Sequence, residues 1–169
     1  QLYQSAKAMK VYHGSLECVD TPEIREPNRT LDYGSGFYTT TSYEQAEEWV
    51  RRKMKGNRAA KGFVNEYELD IDKLQSVKCL LFESPTDEWI DFVMNNRLNK
   101  DFVHDYDIVY GPVANDRVYT CFALYEGGLM SKQNLLAELK TYELVDQYLF
   151  HTEQALQLLT FTNANEILL

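Results

Sequence analysis

The chain has 169 residues, 44% of them hydrophobic, 13% aromatic and 25% charged, and carries 17 basic against 26 acidic side chains, a formal charge of −9. A chain of this size and composition buries roughly 70% of its unfolded surface, which excludes an intrinsically disordered tail and favours one domain. The net charge disfavours nonspecific attachment to nucleic acid or anionic lipid, and the longest apolar runs, such as Cys79 to Phe82, fall far short of the ~18 residues of a membrane span.

Residues 1–8 precede the first Met and lack the apolar centre of a secretory signal, so they read as a leader outside the fold, with a single domain over 9–169. From there the alternation of apolar and polar residues predicts strands over 10–14, 36–40, 63–69, 77–82, 107–113, 118–125 and 147–150. A helix is predicted from Tyr43 to about Lys55, with Ser42 and Gln45 at capping-box spacing and Ala46, Trp49, Val50 and Met54 as its apolar stripe. A second opens at Ser84-Pro85-Thr86-Asp87, with Ser84 as its cap, and buries Trp89, Phe92 and Val93. The third follows Gly127-Gly128 and Ser131 and presents Leu135, Leu136, Leu139 and Tyr142 on one face; a short fourth follows Thr152. Strands and helices do not alternate regularly, so an α+β arrangement is expected and a doubly wound parallel sheet is not.

Cys18, Cys79 and Cys121 show no CxxC spacing, and His13, His104 and His151 belong to no spaced zinc motif, so no metal and a reducing cytoplasmic setting are expected. His104, beside Asp105 and near Asp107, reads as solvated surface. The segment 51–61 holds six basic residues and no acid, leaving −9 − 6 = −15 for the rest; it reads as a helix end complementing the helix dipole, with phosphate attraction as the functional alternative. Three segments remain as carriers of chemistry. They are Tyr12-His13-Gly14-Ser15, then Tyr33-Gly34-Ser35-Gly36-Phe37-Tyr38 with Trp49 on the following helix, and Asp146-Gln147-Tyr148-Leu149-Phe150. Taken singly, each is ordinary strand and core chemistry.

Taken together, their order and spacing resemble the His-Tyr-Glu branch of the ADP-ribosyltransferase superfamily, the poly(ADP-ribose) polymerase and diphtheria-toxin branch. The His-Gly strand end matches His13-Gly14, the Gly-x-Gly-x-Tyr signature matches Gly34 to Tyr38, the second aromatic eleven residues on matches Trp49, and Gln147 falls where that branch has its catalytic Glu. The chain resembles still more closely a bacterial family, domain of unknown function 3990, related to these transferases. Tyr12-His13-Gly14-Ser15, Asp32-Tyr33-Gly34, Trp89 with Asn96-Arg97, Tyr106 to Asp116, and Gln147 with Phe150 and Thr152 carry that likeness.

The resemblance implies a split β-sandwich of two small antiparallel or mixed sheets with flanking helices, and NAD as substrate. It implies that His13, Tyr38 and Gln147 form the catalytic set, and that His13, Gly14, Ser15, Gly36, Tyr38, Trp49, Arg97, Asn115 and Asp116 contact the dinucleotide. Cleaving the bond between nicotinamide and ribose generates an oxocarbenium-like sugar, so a site must hold the leaving group, orient the ribose and stabilise positive charge. A neutral Gln147 accepts a hydrogen bond but supplies neither charge nor base. Transfer of a single ADP-ribose unit or hydrolysis at modest rate is therefore expected, with Asp146 the nearest acid and Asp116 a more distant one. The expected function is mono-ADP-ribosylation of a protein or nucleic acid by a toxin-like modifier with a neutralising partner protein. The alternatives are a degenerate module that only binds NAD, ADP-ribose or a partner protein, and a structural interaction domain without nucleotide.

Overall fold

The computed structural model describes residues 7–25, 31–99, 101–112, 116–142 and 144–169. In chain order its elements are β1 (Ala8–Ser15), β2 (Phe37–Thr39), α1 (Tyr43–Asn57), β3 (Lys61–Asp70), a 3-10 helix (Ile71–Ser76), β4 (Cys79–Leu81), α2 (Asp87–Leu98), β5 (Ile108–Pro112), α3 (Asp116–Glu126), α4 (Lys132–Leu139), β6 (Asp146–Phe150), α5 (Glu153–Leu156) and β7 (Leu159–Leu168). The architecture is α+β with two small sheets. One is the antiparallel β1-β3-β7; the other, β2-β6-β5-β4, is mixed because β4 and β5 run parallel.

The helix starts follow their side-chain caps. Ser42 accepts from the Gln45 amide, Ser131 from the Asn134 amide and Thr152 from the Ala155 amide, as the sequence led one to expect. At α2 the cap is Thr86, which accepts from the Trp89 amide; Ser84 lies two residues upstream of it. The segment 118–125, expected as a strand, belongs to helix α3. Among its described side chains Val118, Cys121 and Phe122 are buried, an i, i+3, i+4 set that only a helix turns to one side. Ala8, expected in the leader, begins β1 opposite Asp70.

Three apolar clusters define the layers. Ala46, Val50 and Met54 of α1 pack on Val64 and Ile167, on the outer face of the first sheet. Between the sheets lie Val11, Tyr67 and Leu69 from one and Phe37, Ile108 and Phe150 from the other, closed by Ala155, Leu156 and Leu158. Val109 and Leu149, on the far face of the second sheet, meet Trp89, Ile90 and Val93 of α2, Phe122 of α3 and Leu135 and Leu139 of α4. The sheets are stitched at one bridge, where Tyr12 N–H donates to Thr40 O at 2.8 Å and Thr40 N–H to Tyr12 O at 2.9 Å. Past it the backbone pairing of β1 with β2 ends, and the candidate site lies at that junction. No helix among the described residues is long and apolar enough to cross a membrane.

Candidate functional site

Because alternate residues of a strand turn their backbone groups to the same side, Gly14 presents its N–H and C=O to the free edge that Tyr12 uses for the bridge. The Gly14 carbonyl there accepts a hydrogen bond from Lys53 Nζ at 2.9 Å. The glycine itself answers to packing: a Cβ at this position would lie 2.6 Å from the Ala46 carbonyl oxygen and 2.8 Å from Val50 Cγ2. Helix α1 therefore sits directly on the strand end. Trp49 lies one turn before Lys53 on α1 and is half-buried. Ser15 Oγ accepts from the Glu17 amide at 3.3 Å.

His13 belongs to the other face of β1. Its ring stacks on Phe37 with centroids 4.1 Å apart, and Nδ1 lies 2.7 Å from the Tyr38 carbonyl oxygen. A carbonyl only accepts, so Nδ1 carries the proton. Burial, assisted by the Lys53 and Arg25 cations, lowers the imidazole pKa to about 4, against the backbone hydrogen bond that raises it. The ring is therefore neutral near pH 7 and its Nε2 is an acceptor.

Tyr38 and Gln147 occupy the helix-bearing face of the second sheet. Tyr38 pairs with Leu149 on β6, and its phenol donates to Gly34 O at 2.6 Å while accepting from the Tyr33 amide at 3.0 Å. Gly36, just before β2, has φ +147°, and a Cβ there would lie 2.5 Å from both Leu149 Cδ1 and the Phe150 carbonyl oxygen. Gln147 is 3% exposed, opposite Gly111, with Nε2 at a long 3.5 Å from Pro112 O. Beside it the Tyr33 hydroxyl donates to the same Pro112 carbonyl at 2.8 Å and accepts from Trp89 Nε1 at 2.7 Å. Burial pushes the Tyr33 phenol far above its ordinary range.

The sequence-predicted residues are thus gathered only in part. His13 touches the Tyr38 backbone but approaches from the inter-sheet face, whereas the Tyr38 ring and Gln147 share the opposite one. Asp146, the nearest acid in sequence, turns away from Gln147: its carboxylate accepts from the Thr41 amide at 3.0 Å, the Thr41 hydroxyl at 2.7 Å and the Tyr110 hydroxyl at 3.1 Å. Burial and that carboxylate push the neighbouring Tyr148 phenol up to about 12. Arg97, among the expected dinucleotide contacts, pairs with Asp32 and Glu126, both at 3.3 Å. Asn115 and the side chain of Asp116 lie outside the described residues. In the basic segment, Arg51 and Arg52 pair with Glu47 and Glu48 one turn back, at 3.4 and 3.8 Å.

Three features escaped the sequence reading. Lys53 on the Gly14 carbonyl was detectable only as the residue one turn after Trp49. Asn65, fully buried on β3, accepts from the Val19 amide at 2.9 Å and donates to His13 O at 3.2 Å, closing the loop after β1. His104, expected on the surface, is 9% exposed, and its ring lies 4.2 Å from that of His151. Among the described residues no three His, Cys, Asp or Glu side chains are grouped to hold a metal ion.

A family model described as protein of unknown function (DUF3990) matches residues 9–161. No curated protein and no solved structure matches the chain.

Proposed function

Since this chain belongs to the DUF3990 family, whose description leaves its reaction open, we propose that it is an NAD-consuming mono-ADP-ribosyltransferase on a split β-sandwich, acting on a protein or nucleic-acid acceptor. The observation that carries the reading is the junction of β1 and β2 beside the Tyr12–Thr40 bridge. There the Gly14 backbone edge, the neutral His13 and the strand bearing Tyr38 come together from segments 25 residues apart in sequence.

In this reading the Gly14 amide and carbonyl bind the nicotinamide carboxamide, with the Lys53 ammonium displaced from the carbonyl or sharing it. Trp49 supplies a ring face for stacking, an attraction of about 0.5–1.5 kcal/mol beyond area burial, while the Tyr38 ring, on the opposite face of β2, holds the preceding loop through its phenol. His13 Nε2 accepts from a ribose hydroxyl, its tautomer fixed by the Tyr38 carbonyl. Gln147 lies on the Tyr38 face of β6 and contributes a neutral amide, so nothing at that position balances an oxocarbenium charge. Rate enhancement then rests on orientation, and a slow enzyme follows.

The second reading is a module that binds NAD or ADP-ribose without turnover. The burial and neutrality of Gln147, and the bond from Lys53 to Gly14 O, favour it. One experiment separates the two. The protein is incubated with labelled NAD and cell lysate, and both nicotinamide release and covalent label are scored. Transfer predicts label that disappears in His13→Ala and rises in Gln147→Glu; stabilisation by NAD without release selects the module, and absence of both removes the nucleotide from the site.

A further inference from the structure

The four residues 33–36 that lead into β2 are held in an unusual way. Three consecutive carbonyls are each bonded by a different side chain: Tyr33 O by His104 Nε2 at 2.8 Å, Gly34 O by the Tyr38 hydroxyl at 2.6 Å, and Ser35 O by His151 Nδ1 at 2.6 Å. The two imidazoles come from segments 47 residues apart, and their ring centroids lie 4.2 Å apart at 38°. Since carbonyls only accept, each ring must keep its proton on the nitrogen facing the loop. The other nitrogen of His104, Nδ1, accepts from the Tyr106 amide at 3.3 Å. A second proton on His104 would therefore set a donor against a donor, and it would place a cation against the His151 ring.

We propose that His104 and His151 form a paired-imidazole latch on the 33–36 loop, positioning it while His104 is neutral and releasing it when His104 takes up a proton. The loop matters to the site because Tyr33 lies against Gln147 and its backbone is tied to the Tyr38 phenol. That functional consequence rests on the transferase reading, whereas the latch itself does not.

The charged groups around the pair are largely committed elsewhere. Asp105, on the His104 loop, pairs with Lys78 Nζ at 2.6 Å, and Lys78 also lies over the Tyr106 ring at 5.1 Å. Asp107, whose carbonyl accepts from the His151 amide, has its carboxylate engaged by the Lys78 amide and the Thr152 hydroxyl. Asp32, at the start of the loop, pairs with Arg97 of α2. On the side facing α2 lie Phe92, its ring 5.3 Å from that of His104, and the buried Asn96, whose Oδ1 borders Gly34 beside His104 Nε2. Burial first, and the neighbouring His151 ring after it, lower the His104 pKa, while its bond to Tyr33 O and Asp105 act in the other direction. A proton on His104 meets no uncommitted carboxylate among these groups and sets Nδ1–H against the Tyr106 amide, so acidification displaces the ring that positions the loop.

The test follows amide exchange of residues 34–37 in the intact chain between pH 7.5 and pH 5, corrected for intrinsic exchange, with the ladder amides of β3 as internal reference. The latch predicts that protection of residues 34–37 falls at least tenfold across that range while β3 holds steady. His104→Phe, which keeps a stacking ring but neither donates nor titrates, should be less protected at pH 7.5 and flat with pH. A wild-type profile that is flat, or a His104→Phe profile that matches the wild type, overturns the proposal, and the wild-type titration decides even if the variant fails to fold. Nicotinamide release measured in parallel should follow the same pH curve. A loop that titrates in a protein releasing no nicotinamide at any pH upholds the latch and counts against the transferase reading.

Discussion

The two sheets are held by different means. In the first, β3 runs antiparallel with β1 over eight residue pairs and with β7 over nine, so its geometry rests on backbone ladders that most side chains would satisfy. In the second, no strand exceeds five residues. Its shape depends on named side chains: the Tyr33 hydroxyl between Trp89 and Pro112, the Asp146 carboxylate on Thr41 and Tyr110, and the imidazoles on the loop before β2. A ladder tolerates substitution, whereas a side-chain clasp fails when one atom is removed. The candidate site lies where the two constructions meet, so its chemistry inherits the sensitivity of the second sheet.

Substitutions and pH changes break or sharpen that contrast. The largest effect is expected from Gly36→Ala, which combines φ +147° with a Cβ 2.5 Å from the Phe150 backbone. Urea unfolding should show a loss of about 3 kcal/mol or more, since backbone strain and overpacking add. At the seam, the His13 imidazole resists protonation down to about pH 4 in the folded chain while the unfolded chain protonates near 6.5. Its contribution is complete above pH 6.5 and is lost as pH falls through that window, by about 2–3 kcal/mol. Urea midpoints measured at each pH should show that slope in the wild type, and a shallower one in His13→Gln.

Tyr33→Phe removes one oxygen yet leaves the Trp89 indole N–H buried without its partner. The expected cost is about 2 kcal/mol in the same assay, with the first sheet's amide exchange unchanged except through global unfolding. The smallest effect, opposite in sign, belongs to Gly56→Ala near the end of α1, over the ladder-built sheet. A Cβ there meets nothing within 4 Å, so a gain of about 0.5 kcal/mol from helix propensity should raise Tm slightly.

Legibility in the sequence divides along the same line. Helix caps are local, and Ser42, Ser131 and Thr152 announce them; Ser84 misleads because Thr86, two residues on, meets the same chemical requirement. Segment 118–125 is apolar at both spacings, since Val118, Phe122 and Leu124 suit a strand as well as Val118, Cys121 and Phe122 suit a helix. Only packing against α4 and the second sheet decides between them. Strand β7, absent from the strands expected by alternation, is largely polar from Thr160 to Glu166. It is fixed by pairing with β3 rather than by an apolar face of its own. Within the site, the positions of His13, Gly14 and Tyr38 at one strand junction follow from strand order. The burial of Gln147 and the commitment of the Asp146 carboxylate to Thr41 and Tyr110 are consequences of tertiary packing. The reason for Gly14 was least visible, because a strand-end glycine serves a closely packed helix as well as it serves a flat ligand.

The ammonium on the Gly14 carbonyl has a consequence for any molecule that seeks the same oxygen. An incoming group has to compete with a tethered cation from the protein's own helix, so apparent affinity at this edge reflects an exchange of partners rather than simple filling. Removing the lysine's charge by acetylation, or shortening its reach, would lower that internal competition and strengthen binding of a neutral amide while weakening that of an anion.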